Sequence, residues 1–267
     1  MKFFSKHFFR SMLAVLLMQA IPIAQAAPVS SAYNVIFVTV DGVRYQEFLA
    51  RKRGFLRRPE VGFPKFWNMI DQDSEHRFQV YDMKISNHYA ISLPGYQCIF
   101  TGQDQGERCK NNGCPQVDQE TFPERLIKEG FAKQDVVSIA SWDGIARAVE
   151  AKPGTIYSNF ASQKFQDPEM SSIQSAQDAD PAPWAPTRLD RYTGAHAIEY
   201  IKKYHPRFIH IGFDDSDEWG HRRNYDKYID SLHQYDDYFQ SLLSLLNETG
   251  EYGKNTALII TTDHGRG

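Results

Sequence analysis

Cysteine, positive charge and long apolar runs are all in short supply in this sequence, and each shortage removes a class of protein. Three cysteines in 267 residues allow at most one intramolecular disulfide. Lysine and arginine, 30 together, are outnumbered by 33 aspartates and glutamates. That balance argues against nucleic acid held by general electrostatics, and no nucleic-acid surface is evident. The apolar run from Met12 to Ile23 is shorter than the ~20 residues that cross a bilayer. No internal repeat divides the chain.

What is present is ordinary for a globular enzyme-sized domain: 42% hydrophobic and 24% charged residues, enough to bury a core. Residues 1–26 differ. Lys2, Lys6 and Arg10 precede the apolar run, and Ala24-Gln25-Ala26 offers small residues where a signal peptidase cuts. The segment reads as a secretory signal cleaved near Ala26, which predicts a secreted or periplasmic protein with no membrane anchor after cleavage. The mature chain then carries 27 basic and 33 acidic residues, a formal charge of −6. Cys109 and Cys114 flank a polar loop that an oxidising compartment could close as a disulfide, reduced thiols being the alternative. Cys98 is left over and is expected as a buried free thiol.

Three apolar runs deliver carboxylates at their carboxyl ends. Asn34 to Val40 is a strand of the doubly buried kind and ends at Asp41-Gly42. Arg207 to Phe213 runs into Asp214-Asp215-Ser216-Asp217-Glu218-Trp219-Gly220-His221. Ala257 to Thr262 delivers Asp263 and His264 before Gly265. Further strands are expected over 79–84 and 135–140. Helices are expected over 64–70, 124–130, 144–150 (with Asp143 as cap), 190–204 and 225–247. The section 51–58 reads as solvated basic surface, and 166–187, rich in proline, serine and glutamine, as an irregular insert. The pattern predicts an α/β fold: a doubly wound, mostly parallel sheet with helices on both faces, whose strand ends line one crevice.

Asp217 and His221, four apart, share a face if one helical turn forms, with Asp214 or Asp215 as alternative ligands. Adjacent Asp263 and His264 can converge on one ion at a strand-to-loop turn. Clustered carboxylates without cations repel one another, and metal ions relieve that. Asp oxygens with His nitrogens suit zinc or manganese better than calcium. Ser92 is placed to cap a helix that has Pro94 in its first turn and ends at Thr101-Gly102. A hydroxyl there lies in the positive end of the helix dipole, where an alkoxide is stabilised. The alternative is that Ser92 is a cap and nothing more. His88, His196, His205, His210 and His233 are assigned to packing or surface.

With these segments in place the sequence resembles the alkaline phosphatase superfamily, in particular its phosphodiesterase and nucleotide pyrophosphatase-like branch of two-metal hydrolases. The matching residues are Val38-Thr39-Val40-Asp41-Gly42, Ser92-Leu93-Pro94-Gly95-Tyr96 with Thr101-Gly102, Asp217-Glu218-Trp219-Gly220-His221, and Thr262-Asp263-His264-Gly265. They follow the family's order across nearly the whole mature chain, residues 27–267. The resemblance implies two divalent ions, zinc first and manganese second. Asp41, Ser92, Asp263 and His264 would hold one, and Asp217 with His221 the other. It implies that Ser92 is the nucleophile, forming a phosphoseryl intermediate from a small-molecule phosphoric mono- or diester. Asn87 stands just before it, as a donor to a nonbridging oxygen or as a plain turn residue.

Two departures frame the alternatives. Sulfatases of the superfamily build their nucleophile in a Cys/Ser-x-Pro-x-Arg segment, and here Tyr96 stands where the arginine belongs, which makes sulfuric ester hydrolysis the second reading. The family's second ion usually takes a further histidine from beyond the Asp-His-Gly segment, and three residues follow His264. The catalytic domain is therefore expected to be C-terminally incomplete, to substitute another ligand, or to bind that ion weakly. A noncatalytic metal-binding protein is the third reading.

Overall fold

The computed structural model describes residues 33–49, 61–75, 77–81, 85, 87–165 and 167–266. Its strands are β1 (Asn34–Val40), β2 (Val136–Ala140), β3 (Tyr157–Phe160), β4 (Phe208–Phe213) and β5 (Thr256–Thr261). They form one sheet in the order β3-β2-β4-β1-β5, with every pairing parallel. The helices in chain order are α1 (Tyr45–Leu49), α2 (Pro64–Asp71), α3 (Ser92–Thr101), α4 (Phe122–Lys128), α5 (Ala146–Val149), α6 (Ser171–Ala179), α7 (Asp190–Tyr204), α8 (Asp215–His221), α9 (Tyr225–Glu248) and α10 (Glu251–Lys254).

Both faces of the sheet are covered, as the apolar runs require. Ile36, Val38, Val40 and Ile211 pack with Trp67 of α2, Tyr200 and Ile201 of α7, and Leu232, Tyr235, Phe239 and Leu242 of α9. The three- and four-residue spacing on α9 is what makes that segment a helix with one buried stripe. On the opposite face Leu93, Tyr96 and Phe100 of α3 pack with Val136, Ala140, Val149 and Phe208. Each large apolar side chain so buried contributes ~1.5–3 kcal/mol. Strands β2 and β4 are buried throughout, whereas β5 lies at the sheet edge with Ile259 47% exposed.

The ends of the helices follow local chemistry. A reciprocal capping box between Thr121 and Glu124 starts α4. Gly102, at φ +71°, closes α3 in the left-handed conformation that glycine adopts without steric cost. A left-handed His205 before Pro206 closes α7.

Several sequence expectations change. Tyr157–Phe160 is a strand that polar Ser158 and Asn159 concealed. The 166–187 insert is not irregular throughout: it contains a 3-10 turn at Pro168–Met170 and then α6. Residues 79–81 form no strand, and 82–84 lie outside the described residues, as do the 1–26 signal and the 51–58 section. The helix expected over 144–150 splits into a 3-10 turn, Asp143–Ile145, followed by the short α5, with Trp142 in the cap position. Cys98 is free but only half-buried.

Candidate metal centre

Sheet register explains why distant residues meet. Thr39 on β1 pairs with Thr261 on β5 and with Gly212 on β4, so the three adjacent strands end level with one another. Two residues further along each, Asp41, Asp263 and Asp214 leave the sheet on the same rim. Asp217 follows on the first turn of α8. Gly42, at φ +64°, turns the chain away, and a Cβ there would lie 2.3 Å from Asp217 Oδ1, so only glycine fits.

On that rim one ligand atom from each of Asp41, Asp263 and His264, all buried, lies within 4.8 Å of the others. His264 Nε2 is 3.3 Å from Asp41 Oδ1, 3.6 Å from Asp263 Oδ2 and 3.8 Å from Asp217 Oδ1. Its other nitrogen, Nδ1, lies 2.7 Å from the Gly265 carbonyl. A carbonyl only accepts, so Nδ1 carries a proton and the ring is oriented with Nε2 towards the carboxylates. Metal-ligating histidines are oriented in this way by their second nitrogen.

The donor set fits a cation. Asp263 Oδ1 accepts the Gly42 N–H at 3.1 Å, but its Oδ2 is buried with no hydrogen-bond partner. Burial, and then the charges of Asp263 and Asp217, hold the Asp41 carboxyl well above the usual carboxylate range. Burial pushes Asp263 up to about 6, against the opposing pull of His264 and the Gly42 N–H. Buried like charges converging, with one carboxylate oxygen left without a partner, is an arrangement that a divalent ion resolves.

Ser92 stands beside this group. Its Oγ is 3.1 Å from His264 Nε2 and 3.4 Å from Asp41 Oδ1. Ile91, not Ser92, occupies the cap position, and the Ser92 hydroxyl makes no capping bond, so the expectation of a capping serine is corrected. Ser92 is the first residue of α3, with its hydroxyl turned to the carboxylates. Gly95 lets α3 approach closely: a Cβ there would lie 2.8 Å from the Asp263 carbonyl oxygen.

The second pair also forms. Asp217 and His221 share a face of α8, with His221 Nε2 2.9 Å from Asp217 Oδ2. Asp217 is buried while the His221 side chain is 66% exposed. Arg266 donates to both the carboxylate and the carbonyl of Asp217, a contact that sequence reading missed. Asn87 lies apart from these contacts and donates to the Tyr89 carbonyl within its own turn. Asn112, also missed, accepts the N–H of Leu93 at 2.9 Å, one residue past Ser92. Its only signal in the sequence is the polar loop between the two cysteines, which do form a disulfide.

A model of the metalloenzyme superfamily matches residues 128–266, a little over half of the chain. The chain belongs to that superfamily. The superfamily match takes in Asp217, His221, Asp263 and His264, while Asp41 and Ser92 precede it. Among solved structures the metalloenzyme fold is shared with a protein described as a 2-O GAG sulfatase, at 12% identity and a TM-score of 0.58. That likeness covers 88% of this chain and 58% of the sulfatase, and it bears out the alkaline phosphatase-like α/β fold. No curated protein sequence matches.

Proposed function

We propose that this chain is a metal-dependent hydrolase of phosphoric mono- or diesters that uses Ser92 as its nucleophile. One observation carries the reading: the Ser92 hydroxyl sits within 3.1–3.4 Å of His264 and Asp41, at the first turn of a ten-residue helix and against the buried Asp41/Asp263/His264 group. Asp41, Asp263 and His264, with Ser92, would hold one divalent ion, and Asp217 with His221 a second. Zinc suits the ligand types first and manganese next. Bound there, such ions lower the pKa of a nearby hydroxyl and offset phosphoryl charge.

The chain's own groups account for the rest. The α3 N-terminus favours negative charge at Ser92 Oγ and on the oxygens of a bound ester. Oγ forms the new bond to phosphorus while the ester P–O bond breaks, and the alcohol leaves with the bonding pair and the serine proton. Water then releases the phosphoryl group and returns a proton to Ser92. Residues 1–26, read as a signal peptide, and the Cys109–Cys114 disulfide support a secreted or periplasmic location. No helix among the described residues is long and apolar enough to cross a membrane.

Sulfuric ester hydrolysis is the second reading, favoured by the fold shared with a sulfatase. Against it, Tyr96 fills the place of the sulfatase arginine and is buried in the core. Aryl phosphate and aryl sulfate turnover by zinc- and manganese-loaded protein separates the two. Phosphate ester turnover that falls by about a thousandfold in Ser92→Ala supports the nucleophile, and turnover that survives the substitution removes it. A mass shift in the tryptic peptide carrying Ser92 would instead mark the sulfatase route.

A further inference from the structure

A second polar network lies behind the metal centre, built from residues that the hydrolysis step never touches. Asp190, at the start of α7, is buried and accepts four donors. The backbone N–H of Asp214 reaches its Oδ1 at 2.9 Å, and that of Asp215 reaches Oδ2 at 2.8 Å. The Tyr235 hydroxyl donates to Oδ2 at 2.6 Å, and Ser141 Oγ donates to Oδ1. In return the Asp190 N–H reaches Asp215 Oδ2 at 3.2 Å.

Tyr235 extends the network one residue further. Its hydroxyl oxygen accepts the Ser216 N–H at 3.0 Å, and its ring stacks on Phe213, the last residue of β4, with centroids 5.0 Å apart. Ser216 Oγ in turn donates to the backbone carbonyl of Asp41. One carboxylate and one phenol, carried by two helices, thus fix three consecutive backbone N–H groups, those of residues 214, 215 and 216. The third of these residues is tied directly to Asp41. Asp217 is the next residue along.

We propose that Asp190 and Tyr235 are positioning residues that set the spacing between the two candidate ion sites, by locking the 214–216 turn onto the end of β1. The inference rests on the two-ion reading above. Without the clamp, Asp41 is still held by β1, through its N–H to the Phe213 carbonyl at 3.0 Å, and Asp263 by the Gly42 N–H. Asp217, on a seven-residue helix, loses the anchor of its first turn. The second site is therefore the one to suffer. Partners that orient metal ligands typically cost 10–100-fold in affinity when removed.

The test is calorimetric titration of zinc into chelator-stripped, full-length protein. Asp263→Asn and His221→Ala assign the steps of the isotherm to the first and second site. Tyr235→Phe keeps the ring stack and removes the hydroxyl's hydrogen bonds to Asp190 and Ser216, and Ser216→Ala removes the tie to Asp41. In both, the second-site Kd should weaken 10–100-fold while the first-site Kd moves less than threefold. Asp190→Asn should behave alike, and if it does not fold, the two milder variants decide. Equal weakening of both sites, or no change at either, overturns the clamp. A wild-type protein that binds one ion also overturns it but leaves the hydrolase reading standing, whereas one that binds none overturns that reading as well.

Discussion

His264 turns its Nε2 to within 3.1 Å of Ser92 Oγ, while its Nδ1 is committed to the Gly265 carbonyl. The ring is held in one orientation, and its Nε2 faces the same space as the serine oxygen. His264→Ala should weaken the first ion by about a hundredfold or more. Zinc titration checks this, and an unchanged first-site affinity would take His264 out of the ligand set.

Asp263→Asn should make the metal-free protein more stable and the metal-loaded protein less so. The amide oxygen keeps the Gly42 N–H, and the substitution removes a buried charge that burial and Asp217 both disfavour. A gain of about 1–2 kcal/mol in the metal-free state raises Tm by roughly 2–6 °C in a chain of this size. Added zinc should then raise Tm much less than it does in the wild type. Thermal melts with and without chelator measure both effects, and a metal-free variant that melts below the wild type would contradict the account.

Ion affinity should depend on pH through Asp263. Its carboxyl, pushed up to about 6, keeps its proton below that value, and the ion must displace it. Apparent affinity should fall on acidification by about tenfold per unit or more below 6, since Asp41, also held above the usual carboxylate range, must lose its proton too. Titrations at pH 7.5, 6.5 and 5.5 test the slope; an affinity that rises on acidification would exclude a carboxylate ligand.

How much of this centre can be read from the sequence depends on how local the signal is. Strands β1, β4 and β5 are continuous apolar runs, and each delivers its acidic residue at a visible break, so Asp41, Asp217, Asp263 and the crevice they share are legible. The Asp217–His221 spacing carries its own geometry. β3 was concealed because an edge strand of four residues needs no apolar run, and α6 because Ser and Gln dominate its sequence. The clamp is different in kind: Asp190 lies 24 residues from the Asp214 N–H it accepts and 45 from Tyr235, and no periodicity links them. Ser92 misled in a small way, since a hydroxyl at a helix start usually caps it, and here buried carboxylates and a histidine compete for the same atom.

Arg266 would compete with a second ion for Asp217. Its guanidinium donates to the Asp217 carboxylate that the ion would use. Arg266→Ala should therefore raise second-site affinity, by about tenfold if the lost pair is worth ~1.5 kcal/mol. Calorimetry shows the direction directly; a weaker second site in the variant would mean that Arg266 supports the ion.

His210 should make the protein sensitive to acid. It is buried between Thr39 Oγ1, at 2.9 Å, and Ser138 Oγ, at 2.8 Å, and burial pushes its pKa down to about 3. A depressed histidine contributes stability that is present above its unfolded value of ~6.5 and is lost as pH falls from there towards 3, because only the unfolded chain takes the proton. The loss approaches about 1.4 kcal/mol per pH unit below 6. Urea unfolding between pH 7 and 4.5 should show this slope in the wild type and a shallower one in His210→Gln. Parallel slopes would remove His210 as the source.

At Gly95 the helix bearing the serine rests directly on the backbone that bears Asp263, with no room for even a methyl group between them. Ser92 and Asp263 are thus cast as one block, unable to slide or breathe independently. Gly95→Ala would force that block apart by its thickness, displacing the Ser92 hydroxyl from Asp41 and His264 without altering a single functional group.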